Sequence, residues 1–326
     1  MKTPAFWYRP PGLASGLLNP LGRLYGASIQ RRFHRARPYR AGVPVVCVGN
    51  LVAGGAGKTP VALAVADALR AAGLAPHFLT RGHGGREAGP LVVNPARHHA
   101  QAVGDEALLL ASAGPTVVAR DRAAGARALE AAGAGVIVMD DGFQNPRLTK
   151  NLSLVVVDGT AGFGNGRLIP AGPLREPVAQ GLARADAVVI VGEDRTGVAT
   201  LSGGLPILYA RLEPAADAHE LSGRKVLAFA GIGRPQKFFT TLEDLGAEVV
   251  EHHAFADHHP YRADEVARLL DRARKLGAVP ATTAKDAVRL PATARDRVTV
   301  VSVAVVWEEP GALDRLIVER IVRHGP

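Results

Sequence analysis

The sequence predicts an α/β protein: a mostly parallel sheet between layers of helices, with a second, smaller α/β domain attached. Three observations carry that reading. From about residue 43, short β-branched runs alternate with Ala/Leu-rich stretches, the pattern of parallel strands joined by crossover helices. One of these runs leads straight into a glycine-rich turn followed by a long helical periodicity. A shorter alternation of the same kind starts near Lys225. With 326 residues the chain has room for about two domains. An aromatic share of only 5% beside abundant Ala, Gly and Val suits strands covered by closely packed helices.

The first 40 residues stand apart. Of the net charge of +9, +8 falls on Lys2, Arg9, Arg23, Arg31, Arg32, Arg35, Arg37 and Arg40, with no Asp or Glu in the segment. Phe6, Trp7 and Tyr8 precede an apolar series of Leu21, Leu24, Tyr25, Ile29 and Phe33. That spacing predicts a helix opening at Asn19-Pro20. Arginines interleaved with apolar residues suit an amphipathic segment lying on an anionic membrane surface. A helix packed on the protein, with its arginines in solvent, has the same pattern. No nucleic-acid module accompanies the charge, so nucleic acid is not an expected partner. No run of about 18 apolar residues occurs, so neither a transmembrane helix nor a signal-peptide core is expected. The single cysteine, Cys47, excludes an internal disulfide framework and reads as a buried small hydrophobe in a reduced compartment.

Residues 41–213 form the expected first domain. Its strands fall over 43–48, 75–79, 115–119, 135–139, 152–157 and 187–191, with helices over 59–72, 105–113 and 123–132. Residues 214–326 form the expected second domain, with strands at 226–230, 248–252 and 279–282 and helices at 235–245, 263–276 and 311–322. The apolar runs 206–212 and 298–307 are expected to pair as a two-stranded linker, a hinge that lets the domains close over substrates.

The chemistry centres on Gly54-Gly55-Ala56-Gly57-Lys58-Thr59-Pro60, set between a buried strand and a helix. Glycines let backbone N–H groups turn toward phosphate oxygens, and the helix N-terminus adds a favourable dipole. Lys58 offsets β/γ-phosphate charge, and the Thr59 hydroxyl is placed to bind Mg²⁺. This is a P-loop, in a variant with Val52 where the usual pattern has glycine. Carboxylates ending another apolar strand are the expected metal partners: Asp140 and Asp141 at the end of 135–141, with Asp158 as competitor. A guanine-reading motif is absent, since Ala284-Lys285-Asp286 has its charges adjacent. ATP and Mg²⁺ are therefore the expected cofactors.

Further motifs occur in order. Val48-Gly49-Asn50-Leu51 runs into the P-loop, followed by Arg81-Gly82, Gly104-Asp105-Glu106, Asp140-Asp141-Gly142-Phe143-Gln144, Gly164-Asn165-Gly166, Pro170-Ala171-Gly172-Pro173-Leu174-Arg175-Glu176 and Asp257-His258-His259. In this order, from near residue 48 to about 290, the chain resembles the tetraacyldisaccharide 4′-kinase family of lipid A biosynthesis. The resemblance implies a P-loop NTPase α/β/α sandwich joined by a two-stranded linker to a smaller α/β domain. It also implies transfer of the γ-phosphoryl group of ATP to the 4′-hydroxyl of a tetraacylated glucosamine disaccharide 1-phosphate, at the cytoplasmic face of the inner membrane.

Residue by residue, the resemblance makes Asp105 the general base and His258 the histidine that orients it, with His259 as a neighbouring alternative. Glu106 and Asp140 would position Mg²⁺ with Thr59, and Arg122 and Arg175 would contact phosphate or the transition state. Each has a plainer reading: Asp105 as a helix cap, Arg175 as a partner of Glu176 or Asp158, and the histidines as solvated loop residues. The chain departs from the family at Asn145, where histidine is common, and at Ala284, where a glutamate is usual. Core catalysis is expected to survive both. The competing function is a membrane-recruited regulatory ATPase of the cell-division or partitioning type, which shares the Gly-Gly-x-Gly-Lys-Thr loop but carries a lysine where this chain has Ala53. A kinase of a soluble small molecule is a third reading.

Overall fold

The computed structural model describes residues 4–323; Lys2 of the basic segment lies outside them. Thirteen strands fall in two sheets among the described residues. They are β1 (Val45–Gly49), β2 (Pro76–Thr80), β3 (Leu91–Val92), β4 (Thr116–Val118), β5 (Val136–Asp140), β6 (Leu152–Asp158), β7 (Ala187–Val191), β8 (Ile207–Pro214), β9 (Lys225–Ala230), β10 (Glu248–Ala254), β11 (Val279–Thr283), β12 (Thr299–Val301) and β13 (Val303–Trp307). The large sheet has the order β13-β8-β7-β6-β1-β5-β2-β4-β3, antiparallel only where β13 meets β8 and β3 meets β4.

Every residue of β1, β2 and β5 is buried, as expected of parallel strands covered on both faces. After β1 the chain crosses to β2 on one side, and it later returns to place β6 on the other. Such a reversal of strand order leaves a crevice at the carboxyl ends of the strands. The ends of β1, β5 and β6 carry Gly49, Asp140 and Asp158 to that edge.

The helices that matter for the site are α1 (Leu13–Arg35), α2 (Lys58–Ala71), α3 (Ala100–Val103), α4 (Asp105–Ala113) and α5 (Arg122–Ala131). Val61, Ala62, Val65, Ala66 and Leu69 of α2 are buried, a helical stripe laid on the sheet. Gly104, at φ 89°, breaks the chain between α3 and α4 and so sets Asp105 at the start of α4.

In the second lobe, β10-β9-β11-β12 is all parallel. The helix Pro235–Asp244 covers one face with Phe238, Phe239 and Leu242, and the helix Ala263–Leu276 covers the other with Val266, Leu269, Leu270 and Ala273.

The structure differs from expectation in three places. The run 298–307 is not one linker strand: Thr299–Val301 belongs to the small sheet, and only Val303–Trp307 pairs with β8, Val303 opposite Pro214 and Trp307 opposite Ala210. Because β8 also pairs in parallel with β7, this ribbon is the edge of the large sheet. The terminal helix, expected within the second domain, instead returns to the first lobe, where Leu313, Leu316, Ile317 and Ile321 bury against α2. A terminal helix with that apolar stripe needs a covered face, and the first lobe supplies it.

The basic N-terminal helix also begins earlier than expected, at Leu13, with Pro20 inside it. An internal proline removes one helical hydrogen bond at a cost of about 3 kcal/mol. The turn before it is held by Ser15, whose hydroxyl donates to Gly12 O at 2.9 Å and accepts from Gly12 N at 3.0 Å. Gly22 and Gly26 lie against Leu168 so closely that a Cβ at Gly22 would meet Leu168 O at 2.9 Å. Ile29 is buried on the same face, while Leu13, Leu17, Leu21 and Leu24 are exposed.

A close approach matters at the site as well. A Cβ at Gly49 would lie 2.4 Å from Phe143 Cβ and 3.1 Å from Phe143 N. Gly49→Ala is expected to lose about 1–3 kcal/mol of stability in urea unfolding, because the backbone of the 140–144 turn has no room to retreat.

Candidate active site

The phosphate loop starts late, and the reason is local pairing. Val52 is buried and bridges Leu174, while Ala53 N donates to Pro173 O at 2.8 Å. Strand-like pairing therefore occupies the position where glycine is usual. The turn comes at Gly54 and Gly57, with φ of 139° and 84°, a region open to glycine at little cost. Gly54 and Gly55 are exposed, Ala56 is buried beneath them, and Lys58 opens α2 with Thr59 and Pro60 behind it. The first N–H groups of that helix face the loop, as an anion site requires.

Asp140 ends β5 beside this loop and accepts from Thr59 Oγ1 at 3.0 Å. Its Oδ1 is buried and has no hydrogen-bond partner among the described residues. Burial, reinforced by the charge of Glu106, pushes the Asp140 carboxyl well above the usual carboxylate range. Asp141, expected beside it at the metal, is turned away at φ 53°. Its Oδ1 lies 2.7 Å from Arg175 Nη1 and 3.7 Å from Lys58 Nζ. Burial opposes ionisation there, but the two cations outweigh it and hold the carboxyl below its ordinary value.

Arg175 thus pairs with Asp141, and not with Glu176 or Asp158. Glu176 is taken by Gln144 Nε2 at 2.9 Å and Arg184 Nη2 at 2.6 Å. Asp158 accepts from Thr160 Oγ1 at 2.6 Å and from Thr160 N at 2.9 Å, closing its own turn. Arg122 is buried at the start of α5, where its Nη1 donates to Ala119 O. Burial pushes its guanidinium down to about 10, and its Nε has no partner among the described residues.

Across the cleft, Asp105 Oδ2 stands 2.7 Å from His258 Nδ1. Asp105 is buried, which alone would raise its carboxyl; the His258 hydrogen bond and the charges of Arg289 and Lys285 outweigh this and hold it below the usual range. His258 reaches inward from a turn at φ 60°, with its backbone N–H donated to Gly231 O at 3.0 Å. His259 points elsewhere, with Nε2 2.7 Å from Glu265 Oε2. His253 meets Glu251 at 2.8 Å, and His252 lies against Phe239. Among the described residues no cluster of these side chains could hold a metal ion.

Sequence reasoning missed Arg289. Its Nε lies 3.4 Å from Asp105 Oδ2, while Nη2 donates to Asp286 Oδ1 at 2.7 Å and to Gly231 O at 3.0 Å. Asp286, fully buried, also accepts from Gly231 N and Tyr261 Oη, each at 2.8 Å. It therefore anchors the lobe that carries His258 and is closed to any nucleotide base. The available signal was an Asp286–Arg289 pair three residues apart, the arginine in the turn that follows the short helix Ala284–Ala287. Asp286→Asn is expected to cost about 1–3 kcal/mol in thermal unfolding, since buried donors arranged around a carboxylate are left poorly matched.

A loop that cradles phosphate, a threonine and buried carboxylate beside it, and a separate carboxylate held ionised opposite define a P-loop phosphoryl-transfer enzyme acting on a hydroxyl. The profile of the family described as Tetraacyldisaccharide-1-P 4′-kinase (LpxK) matches residues 14–322. The chain belongs to this family. Tetraacyldisaccharide 4′-kinase of Rhodospirillum centenum is 62% identical over 323 residues, covering 97% of this chain and 96% of that one. The protein of the same name from Rhodospirillum rubrum is 56% identical, covering 98% and 99%. The crystal structure of an "apo" form LpxK from Aquifex aeolicus in complex with ATP is similar at a TM-score of 0.77 and 28% identity, covering 95% of this chain and all of that one.

Proposed function

We propose that this protein transfers the γ-phosphoryl group of ATP to the 4′-hydroxyl of a tetraacylated glucosamine disaccharide 1-phosphate. The observation that carries this is the Asp105–His258 pair at 2.7 Å, joining the two lobes opposite the phosphate loop. A sugar hydroxyl attacks poorly while it keeps its proton. Asp105 takes that proton as the new oxygen–phosphorus bond forms and the bond to the β-phosphate oxygen breaks, with ADP leaving. His258 and Arg289 fix the carboxylate and keep it ionised, while Lys58, Arg122 and Arg175 face the charge on the transferring group.

Mg²⁺ fits this site. The unpartnered Oδ1 of Asp140, the Thr59 hydroxyl and the nearby Glu106 charge offer the oxygen donors the ion prefers. Bound there, it would offset charge on the nucleotide phosphates. Asp141 stays with Lys58 and Arg175, where it orients the two cations.

The acceptor's lipid nature agrees with α1, whose exposed Leu13, Leu17, Leu21 and Leu24 lie on the same segment as six arginines between residues 23 and 40. A helix with an unpartnered leucine face and a basic end suits peripheral contact with an anionic membrane, here the cytoplasmic face of the inner membrane. Phe6 and Trp7 serve otherwise: Trp7 Nε1 donates to Pro170 O at 3.1 Å, and Asn165 Nδ2 to Phe6 O at 3.3 Å. No described helix is long and apolar enough to cross a membrane.

The regulatory-ATPase reading has no comparable support, since a switch that hydrolyses ATP needs no base reserved for a hydroxyl acceptor. The test is purified protein with ATP, Mg²⁺ and the disaccharide 1-phosphate in neutral detergent. A 4′-phosphorylated product is expected. Hydrolysis of ATP without lipid phosphorylation would sink the proposal.

A further inference from the structure

Asp105 and Glu106, the base and a metal carboxylate of the proposed reaction, are neighbours in the first turn of α4. Opposite them the second lobe presents a lysine. Lys285 Nζ, on the short helix Ala284–Ala287, lies 4.0 Å from Glu106 Oε1. Burial works against the Asp105 carboxylate, and Lys285 joins His258 and Arg289 in offsetting it. Glu106, after burial, is the leading influence that raises the carboxyl of Asp140, which accepts from Thr59 beside the phosphate loop. The ammonium therefore neighbours both the base that takes the acceptor's proton and the carboxylates beside the nucleotide's phosphates.

The backbone beneath Lys285 is fixed from two sides. Thr283 Oγ1 accepts from Asp286 N at 3.1 Å and donates to Asp286 Oδ2 at 2.5 Å, and Asp286 is the buried anchor of the lobe. Three residues on, Val288 packs against Val103, Ala107, Leu108 and Val118 of the first lobe. The Lys285 side chain is not held in the same way. Among the described residues Glu106 is its one ion-pair partner, both side chains are partly exposed, and 4.0 Å is too long for a hydrogen bond. So loose a pair stabilises the fold little. A tie between the lobes has the same geometry, but Val288 and the Asp105–His258 contact already supply one. A loosely held ammonium on a rigid turn suits a point charge that moves onto a phosphoryl oxygen.

We propose that Lys285 is a further catalytic residue, a cation that the second lobe brings to the γ-phosphoryl group of ATP. This rests on the phosphoryl transfer proposed above. As the acceptor oxygen bonds to phosphorus and the bond to the β-phosphate oxygen breaks, negative charge shifts among the transferring oxygens and the departing ADP. Lys58, Arg122 and Arg175 meet that charge from the first lobe; Lys285 adds a cation whose position depends on the second. Full charge stabilisation then exists only with the lobes together, where the acceptor hydroxyl can also meet Asp105. Transfer to water with the lobes apart lacks it.

The test is calorimetric titration of the full chain, without lipid, with the magnesium complexes of ADP and of the β,γ-imido analogue of ATP. Lys285→Ala is compared with wild type and with Lys285→Met, which keeps the aliphatic stem and removes the charge. Both variants are expected to melt like wild type, since the side chain is partly exposed and loosely paired. Each is expected to bind the ATP analogue about tenfold more weakly, and ADP within about twofold of wild type, because only the analogue carries a γ-phosphoryl group.

With the disaccharide 1-phosphate as acceptor, kcat of both variants is expected to fall about 10²-fold. Equal loss of affinity for the two nucleotides, or loss for neither, would overturn the proposal and leave Lys285 as a tie between the lobes. A kcat within about threefold of wild type would overturn it as well. If wild type fails to phosphorylate the acceptor, the proposed function falls, while the comparison of analogue with ADP still judges Lys285.

Discussion

Lys58→Ala is expected to lower kcat by about 10³-fold or more, with the fold intact. Among the described residues the Lys58 ammonium has no carboxylate closer than Asp141, at 3.7 Å, and Arg175 holds that same oxygen at 2.7 Å. Removing the lysine therefore leaves Asp141 paired. What is lost is the cation that meets the β/γ-phosphate charge as it redistributes during transfer. Single-turnover phosphorylation with saturating ATP, set beside a thermal melt, separates the two effects. Turnover within about tenfold of wild type would remove Lys58 from the chemistry.

Asp105→Asn is expected to lower kcat by about 10²- to 10⁴-fold while leaving the KM for ATP unchanged, since the amide keeps its place but takes no proton. The pH profile tests the same assignment. Burial raises the Asp105 carboxyl, yet the His258 hydrogen bond and the Arg289 and Lys285 charges more than offset this and keep it below the ordinary range. The folded value is thus the depressed one. The stability this carboxylate contributes is present above its unfolded pKa and is lost as pH falls through the folded value. Its capacity as a base is lost over that same acid range. The acid limb of kcat/KM should therefore fall below the usual carboxylate range in wild type. In His258→Ala it should move up, because the leading offset to burial is gone. A limb that stays in place would separate His258 from Asp105 in function, whatever their distance.

Much of the fold was legible because parallel strands and their crossover helices announce themselves in periodicity. The runs that became β1, β5 and β6 are apolar, Val/Ile-rich stretches, almost wholly buried. Helix α4 runs over Asp105–Ala113, the bounds its helical stretch gave. What failed were features with weak or ambiguous local signals. Pro20 looked like a helix start because proline is best tolerated there, but the Gly12–Ser15 exchange opened the helix earlier. The run 298–307 looked like one strand because apolar residues carry no mark of which sheet will bury them.

The phosphate loop, the carboxylates at the strand ends and the family are legible in the chain alone, since each rests on residues close together or on motifs in a set order. How those groups pair emerges only on folding. It set His258 rather than His259 against Asp105, across 153 residues of chain. It gave Asp141 to Lys58 and Arg175 and left Asp140 with Thr59, and it brought in Arg289, which belongs to no motif read from the sequence. It also set Lys285 of the second lobe beside Glu106. Charges distant in sequence choose partners by the burial and geometry of the folded chain, and neither is encoded in local spacing.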